Sequence, residues 1–206
     1  MNTHSLRAAL VAVVAATALL APAVSAHAQT QTLRDGAGDT WEQKYDEETD
    51  SGSWEATGTQ PDVDVVKQVV QHSKKAVTIT TVYRELDLSS DFLYLMSQLR
   101  TNKASYFATV SRTADGAREV TLGTKGRPVR CRGLDLTISK QTDRLTVVVP
   151  RSCLKDPKTV QLRSVAYAAT HDPADPENFE SYHIYEDAIG KPGHGIGVWT
   201  KKLRVG

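Results

Sequence analysis

Aromatic side chains are scarce in this chain, cysteine is scarcer, and net charge is almost absent. The 206 residues hold three Phe, three Trp and two Cys, and 25 basic side chains face 24 acidic ones. Two cysteines cannot build a disulfide-dense scaffold or a four-thiolate zinc site. Balanced charge shows no basic excess or stripe of the kind that nucleic-acid binders carry, so no nucleic acid is expected. Bulk charge likewise gives no reason to expect an anionic partner. Beyond the N-terminus no apolar run approaches the ~20 residues of a membrane-spanning helix. Nucleophile elbows (G-x-S-x-G) and zinc-protease (HExxH) and EF-hand patterns are all missing. Asp50-Ser51-Gly52-Ser53 resembles a serine-hydrolase signature but lacks its glycine pattern.

The N-terminus is what a secretory signal peptide requires. Arg7 is the only charged side chain before an apolar run from Ala8 to Leu20, broken only by Thr17. At about 20 Å as a helix, that run is too short for a bilayer core of about 30 Å. Pro22 and small residues follow, and Ala26-His27-Ala28 fits the small-x-small rule, so cleavage is expected after Ala28; Val24-Ser25-Ala26 is the second choice. No Cys near the cut offers a lipid anchor. The mature chain is expected to be secreted, monomeric and a single domain spanning 29–206, with 25 − 1 = 24 basic against 24 acidic residues. In an oxidising compartment, Cys131 and Cys153 are expected to pair.

Residues 29–61 are polar and rich in Gly, Asp and Thr, and read as an irregular approach with one short strand near Trp41 to Tyr45. From Val63 the pattern becomes β-branched. Val77, Ile79, Thr81 and Tyr83 alternate, and Ser73-Lys74-Lys75 makes a turn before them. Phe92 to Thr101 fits a strand or a helix, with the flanking strands favouring β. Ala114-Asp115-Gly116 and Gln141-Thr142-Asp143 are further hairpin turns. Val160 to Tyr167 is the last clear strand, and after Thr170 the chain reads as irregular. Short strands at roughly ten-residue intervals, with almost no amphipathic helix, give an all-β expectation: an antiparallel β-sandwich, jelly-roll or Ig-like, with a closed barrel as the alternative. Cys131 precedes one strand of the Leu134–Val149 hairpin and Cys153 follows the other, so their disulfide would staple its base.

The chemistry on offer is acidic. Asp35-Gly36-Ala37-Gly38-Asp39 places two carboxylates on a flexible loop, and Asp62 and Asp64 stand two apart where the first strong strand begins. Carboxylate and carbonyl oxygens suit Ca²⁺, and glycines let the backbone turn inward. Asp35, Asp39, Asp62 and Asp64 are therefore the candidate metal ligands, with calcium the cofactor. Asp and Gly also fill loops where no metal binds. Trp41, Trp54 and Trp199 are candidate stacking faces for a sugar, or else core residues. His72, His171, His183 and His194 follow no ligand spacing; with nearby acids they could serve an acid–base site.

The segments Asp35-x-x-Gly38-Asp39, Pro61-Asp62-Val63-Asp64-Val65-Val66, Cys131-Arg132-Gly133-Leu134 and Val149-Pro150-Arg151-Ser152-Cys153-Leu154 resemble a group of exported, mostly uncharacterised actinobacterial proteins. More distantly, the opening is similar to carbohydrate-binding and DOMON-like sandwiches. The resemblance implies an extracellular β-sandwich that recognises a glycan or a protein. The alternative is a secreted hydrolase working through carboxylates or the C-terminal histidines.

Overall fold

Side chains that alternate between buried and half-buried positions dictate most of the structure. The protein is described by a computed structural model covering residues 28–46, 51–171 and 182–206; the expected signal peptide lies outside the described residues. Among the described residues fourteen strands, numbered in chain order, form two sheets in which every pairing is antiparallel. The smaller sheet has the order β1 (Gln29–Arg34), β4 (Val65–His72), β5 (Ala76–Tyr83), β11 (Arg144–Pro150), β10 (Asp135–Ser139). The larger runs β3 (Ser51–Gly58), β2 (Thr40–Asp46), β13 (Tyr182–Ala188), β12 (Thr159–His171), β6 (Phe92–Thr101), β7 (Ser105–Thr113), β8 (Arg118–Thr124), β9 (Arg127–Pro128), and β14 (Leu203–Arg204) also pairs with β12.

The two sheets pack face to face, as the strand pattern requires. Val77, Ile79 and Tyr83 of β5 and Leu145, Val147 and Val149 of β11 meet Leu93, Leu95 and Leu99 of β6 and Leu162, Ala166 and Ala168 of β12 in one core. In β6 the period is two, not 3.6: Leu93, Leu95, Ser97 and Leu99 point inward, which settles the segment as strand. Polar groups inside the core satisfy one another. Gln68 donates to Thr81 Oγ1 (3.0 Å), Ser97 and Ser164 share a hydrogen bond of 2.9 Å, and Ser164 donates to Gln68 Oε1 (3.1 Å), which links the two sheets.

The expected hairpins form as read. β4 and β5 turn at Ser73-Lys74-Lys75, and β7 and β8 turn at Ala114-Asp115-Gly116. β10 and β11 turn through a short 3₁₀ turn, Lys140–Thr142, with Asp143 left-handed at φ 50°. Cys131 and Cys153 are bonded, with Cα atoms 5.3 Å apart, and close the base of that hairpin.

The irregular terminal segments are a correction. In the approach β2 is the short strand expected near Trp41 to Tyr45, but β1 and β3 form there as well, and the tail contains β13 and β14. These strands lacked a hydrophobic signature for a physical reason. β1 and β3 are sheet edges, where little is buried; on β1 only Leu33 is. On β2 and β13 the buried positions are taken by Thr40, Glu42, Glu186 and Asp187, with Ala188 the one apolar residue among those described. The tail runs along the edge of β12, with Gly197 N–H donating to Ser164 O and Thr200 N–H to Leu162 O. Only glycine fits at 197, because a Cβ there would lie 2.1 Å from Ile189 O.

Candidate acidic cation site

Where β1 leaves the small sheet to cross to β2, the chain must turn beside the start of β4. Gly38 makes that turn at φ +74° and points its N–H at Asp64 Oδ2, 2.9 Å away. Gly36 must stay small, because a Cβ on it would lie 2.9 Å from an Asp39 carboxylate oxygen. The loop thus brings Asp35 and Asp39 over Asp64. The tail brings a fourth acid. Asp187, near the end of β13, accepts a hydrogen bond from Val65 N–H at 2.6 Å. One carboxylate oxygen from each of Asp35, Asp39 and Asp187 lies within 4.8 Å of the others.

Asp35, Asp64 and Asp187 each have one carboxylate oxygen hydrogen-bonded and the other left open. Asp35 accepts from Gly36 N–H (3.1 Å) and from Gly190 N–H. Asp64 accepts from Gly38 and Thr59, with the Arg84 guanidinium 3.6 Å away. Yet Asp35 Oδ2, Asp39 Oδ1, Asp64 Oδ1 and Asp187 Oδ1 are buried with no donor. Asp64 and Asp187 are completely buried, at 0% exposure. A buried carboxylate oxygen without a partner is costly. The electrostatics show that cost: burial, then the charges of Asp35, Asp39 and Asp64, push Asp187 up to about 8. Burial, with Asp39 and Asp64 adding to it, pushes Asp35 up to about 7. Burial, followed by the charge of Asp64, raises Asp39; burial raises Asp64, although Gly38 and Arg84 pull it back.

Asp62 does not join them. Its carboxylate turns the other way and accepts from Leu88 N–H (2.8 Å), Ser90 N–H (3.0 Å) and Ser90 Oγ (2.7 Å), so it holds the loop after β5. Residues two apart share a face only in regular strand, and Asp62 is left-handed at φ 63°. Asp187, by contrast, has no spacing relation to Asp35. Its only sequence signal is the acid pair Glu186-Asp187 closing an aromatic stretch.

The other candidates separate. His72 is buried on β4 with Nδ1 bonded to Leu203 O (3.1 Å); burial lowers its pKa. His183 Nδ1 meets Glu42 Oε1 at 2.6 Å, and His171 packs edge-on to Tyr182 at 4.7 Å. His194 sits between two tryptophans, 5.6 Å from both Trp41 and Trp54, and lies parallel to Trp54. Trp199 is covered by Arg100 (4.3 Å) and Arg163 (4.7 Å). The tryptophan faces therefore stack on the protein's own side chains. Among the described residues no helix is long and apolar enough to cross a membrane.

No family model matches the chain, and no curated protein and no solved structure matches it either.

Proposed function

We propose that this is an exported recognition domain whose sandwich is locked by one calcium ion, held by Asp35, Asp39, Asp64 and Asp187. The observation that carries the reading is the set of four donorless carboxylate oxygens, two of them on fully buried side chains. At 4 Å, two carboxylates repel by about 4 kcal/mol at an effective dielectric near 20. A divalent cation turns that repulsion into coordination. Donors that are all oxygen favour Ca²⁺, Mg²⁺ or Mn²⁺ over thiophilic metals. Four carboxylates favour Ca²⁺, which takes six to eight oxygens, over Mg²⁺, which holds on to its waters. Water would fill the remaining positions on the side of the half-exposed Asp35 and Asp39.

Export is supported by the N-terminal sequence and by the disulfide. The resemblance to exported sandwiches points the same way. Recognition of a glycan is supported by the outer face of the large sheet, where Phe92 and Tyr94 stack at 6.0 Å and Tyr94 meets Tyr167 at 6.1 Å. The ion's task is structural: it joins the β1–β2 crossing, the start of β4 and the end of β13. The test is thermal melting and calorimetric titration with Ca²⁺, with Mg²⁺ and with a chelator. At free Ca²⁺ about 100 times the dissociation constant, stability should rise by about 2.7 kcal/mol. For a domain of this size that is roughly 5–10 °C in melting temperature. An unchanged melting temperature and no heat of binding would refute the site.

A further inference from the structure

The neutral charge count hides a segregation. At the end of the sandwich where β4 turns into β5, the exposed turn carries Lys74 and Lys75. β11 ends at the same level, because Pro150 pairs with Ala76. Arg151 then ties the turns together: its N–H donates to Lys75 O (3.0 Å), and its guanidinium donates to Lys74 O and Pro157 O, both at 3.1 Å. The disulfide holds Cys131, and so the exposed Arg130 and Arg132, against this turn. Lys158 N–H donates to Asn102 Oδ1 at 2.8 Å, which docks the β6–β7 turn and its Lys103 here as well. The β8–β9 turn arrives through Thr124, which donates to Ser105 O (2.7 Å), and projects Lys125. The tail adds Lys202 and Arg204, because β14 pairs with the start of β12.

Eleven of the 25 lysines and arginines thus gather at one end, Lys155 of the turn after β11 included. Among the described residues only Asp135 and Asp156 oppose them there, and none of these cations is in a salt bridge. Lys103, Lys125 and Lys155 line one cleft of about 480 Å³ with Tyr106 and Phe107 at its floor.

We infer that this basic end binds a linear anionic polysaccharide. Clustered unpaired cations create a potential of several kT that concentrates polyanions. The choice among polyanions rests on what accompanies the charge. The large hydrophobic side chains exposed among the described residues are Tyr182 and Val198. Tyr182 starts β13 opposite His171, at the other end of the sandwich, and Val198 packs beside Gly190. Neither forms a wedge for a bilayer at the basic end. Trp199 is already covered by Arg100 and Arg163 and Tyr106 is buried, so Phe107 is the one partly exposed aromatic in the cleft, too little for a row of stacked nucleic-acid bases. What remains is charge spread over curved turns, which suits a flexible chain of sulfate, phosphate or carboxylate groups on sugars. The inference rests on the recognition reading above but not on the calcium ion, so the calcium experiment can succeed while this one fails.

The test measures binding of the secreted chain to dextran sulfate, with uncharged dextran, single-stranded DNA and anionic phospholipid vesicles as the comparison arms. Dextran sulfate should bind, dextran should not, and affinity should fall steeply as NaCl rises. The triple variant Lys103→Glu, Lys125→Glu, Lys155→Glu should lose roughly tenfold or more in affinity. The same three-charge reversal at the opposite end, Arg118→Glu, Lys140→Glu, Arg144→Glu, should leave it unchanged. All six residues are exposed, so both variants should melt as the parent does. Equal losses in the two variants, no binding of dextran sulfate, or tighter binding to DNA or vesicles would overturn the inference. Should a variant fold poorly, the salt dependence measured on the parent chain still decides whether the contact is ionic.

Discussion

The acids between the sheets and the bases on the far turns are both crowds of like charge, but they meet different surroundings. Asp64 and Asp187 are fully buried, so their neighbours act on them with little screening and their carboxyls resist ionisation. The lysines of the basic end are exposed, and salt screens exposed charges beyond about 8 Å at physiological ionic strength. Crowding therefore costs stability in the first group and little in the second. On the reading proposed above, a counter-ion stabilises the first group and the second is open to a partner. On the two proposals above, the same electrostatics would yield a folding determinant in one place and a binding surface in the other.

The strongest way to break the comparison is to loosen the scaffold under the bases. Cys131→Ser with Cys153→Ser opens a link with a sequence separation of 22 residues, which should cost about 3 kcal/mol, seen as a lower denaturation midpoint. Because Arg130, Arg132 and Arg151 lose their shared anchor, polyanion affinity should fall in the folded variant too, while the calcium response should persist.

Removing one buried acid should separate the two regions more cleanly. Asp187→Asn keeps an oxygen for the Val65 N–H but deletes a charge from the cluster. The metal-free variant should melt higher than the metal-free parent, and its calcium-induced shift should drop to less than half. Both readings come from the same pair of melting curves. A variant that melts lower without metal and keeps the parent's calcium response would contradict the account of these charges.

The smallest effect is the most diagnostic in sign. Carboxyls raised in the folded state, Asp187 to about 8 and Asp35 to about 7, contribute stability at low pH that is lost as pH rises through those values. The metal-free protein should therefore melt lower at pH 8 than at pH 5.5. Saturating calcium, which holds the carboxylates ionised, should remove or reverse that slope. His72 works in the other direction. Burial lowers its pKa, so stability is lost as pH falls below its unfolded value near 6.5. His72→Gln should flatten only the acid limb.

Much of the site was legible along the chain and part of it was not. Asp35 and Asp39 stand out because glycines flank them, and Gly38 is left-handed where the loop needs it. Asp64 and Asp62 looked equivalent. The left-handed backbone at Asp62 sent one carboxylate to the Ser90 loop and left the other facing the cluster. Asp187 could not be found, because it lies far along the chain and reaches the others through the pairing of β13 with β12 and β2. The strands that carry these acids were hidden for the same reason, since polar residues at inward positions erase the alternation that marks a strand.

By itself the sequence determined the all-β class, the hairpins with good turn residues and the disulfide. Local alternation, turn chemistry and an even cysteine pair do not depend on distant contacts. Only the tertiary structure decided that Asp187 joins Asp35 and Asp39, and where the balanced charges fall. Both depend on strand pairings between segments distant along the chain, and no count of residues records them.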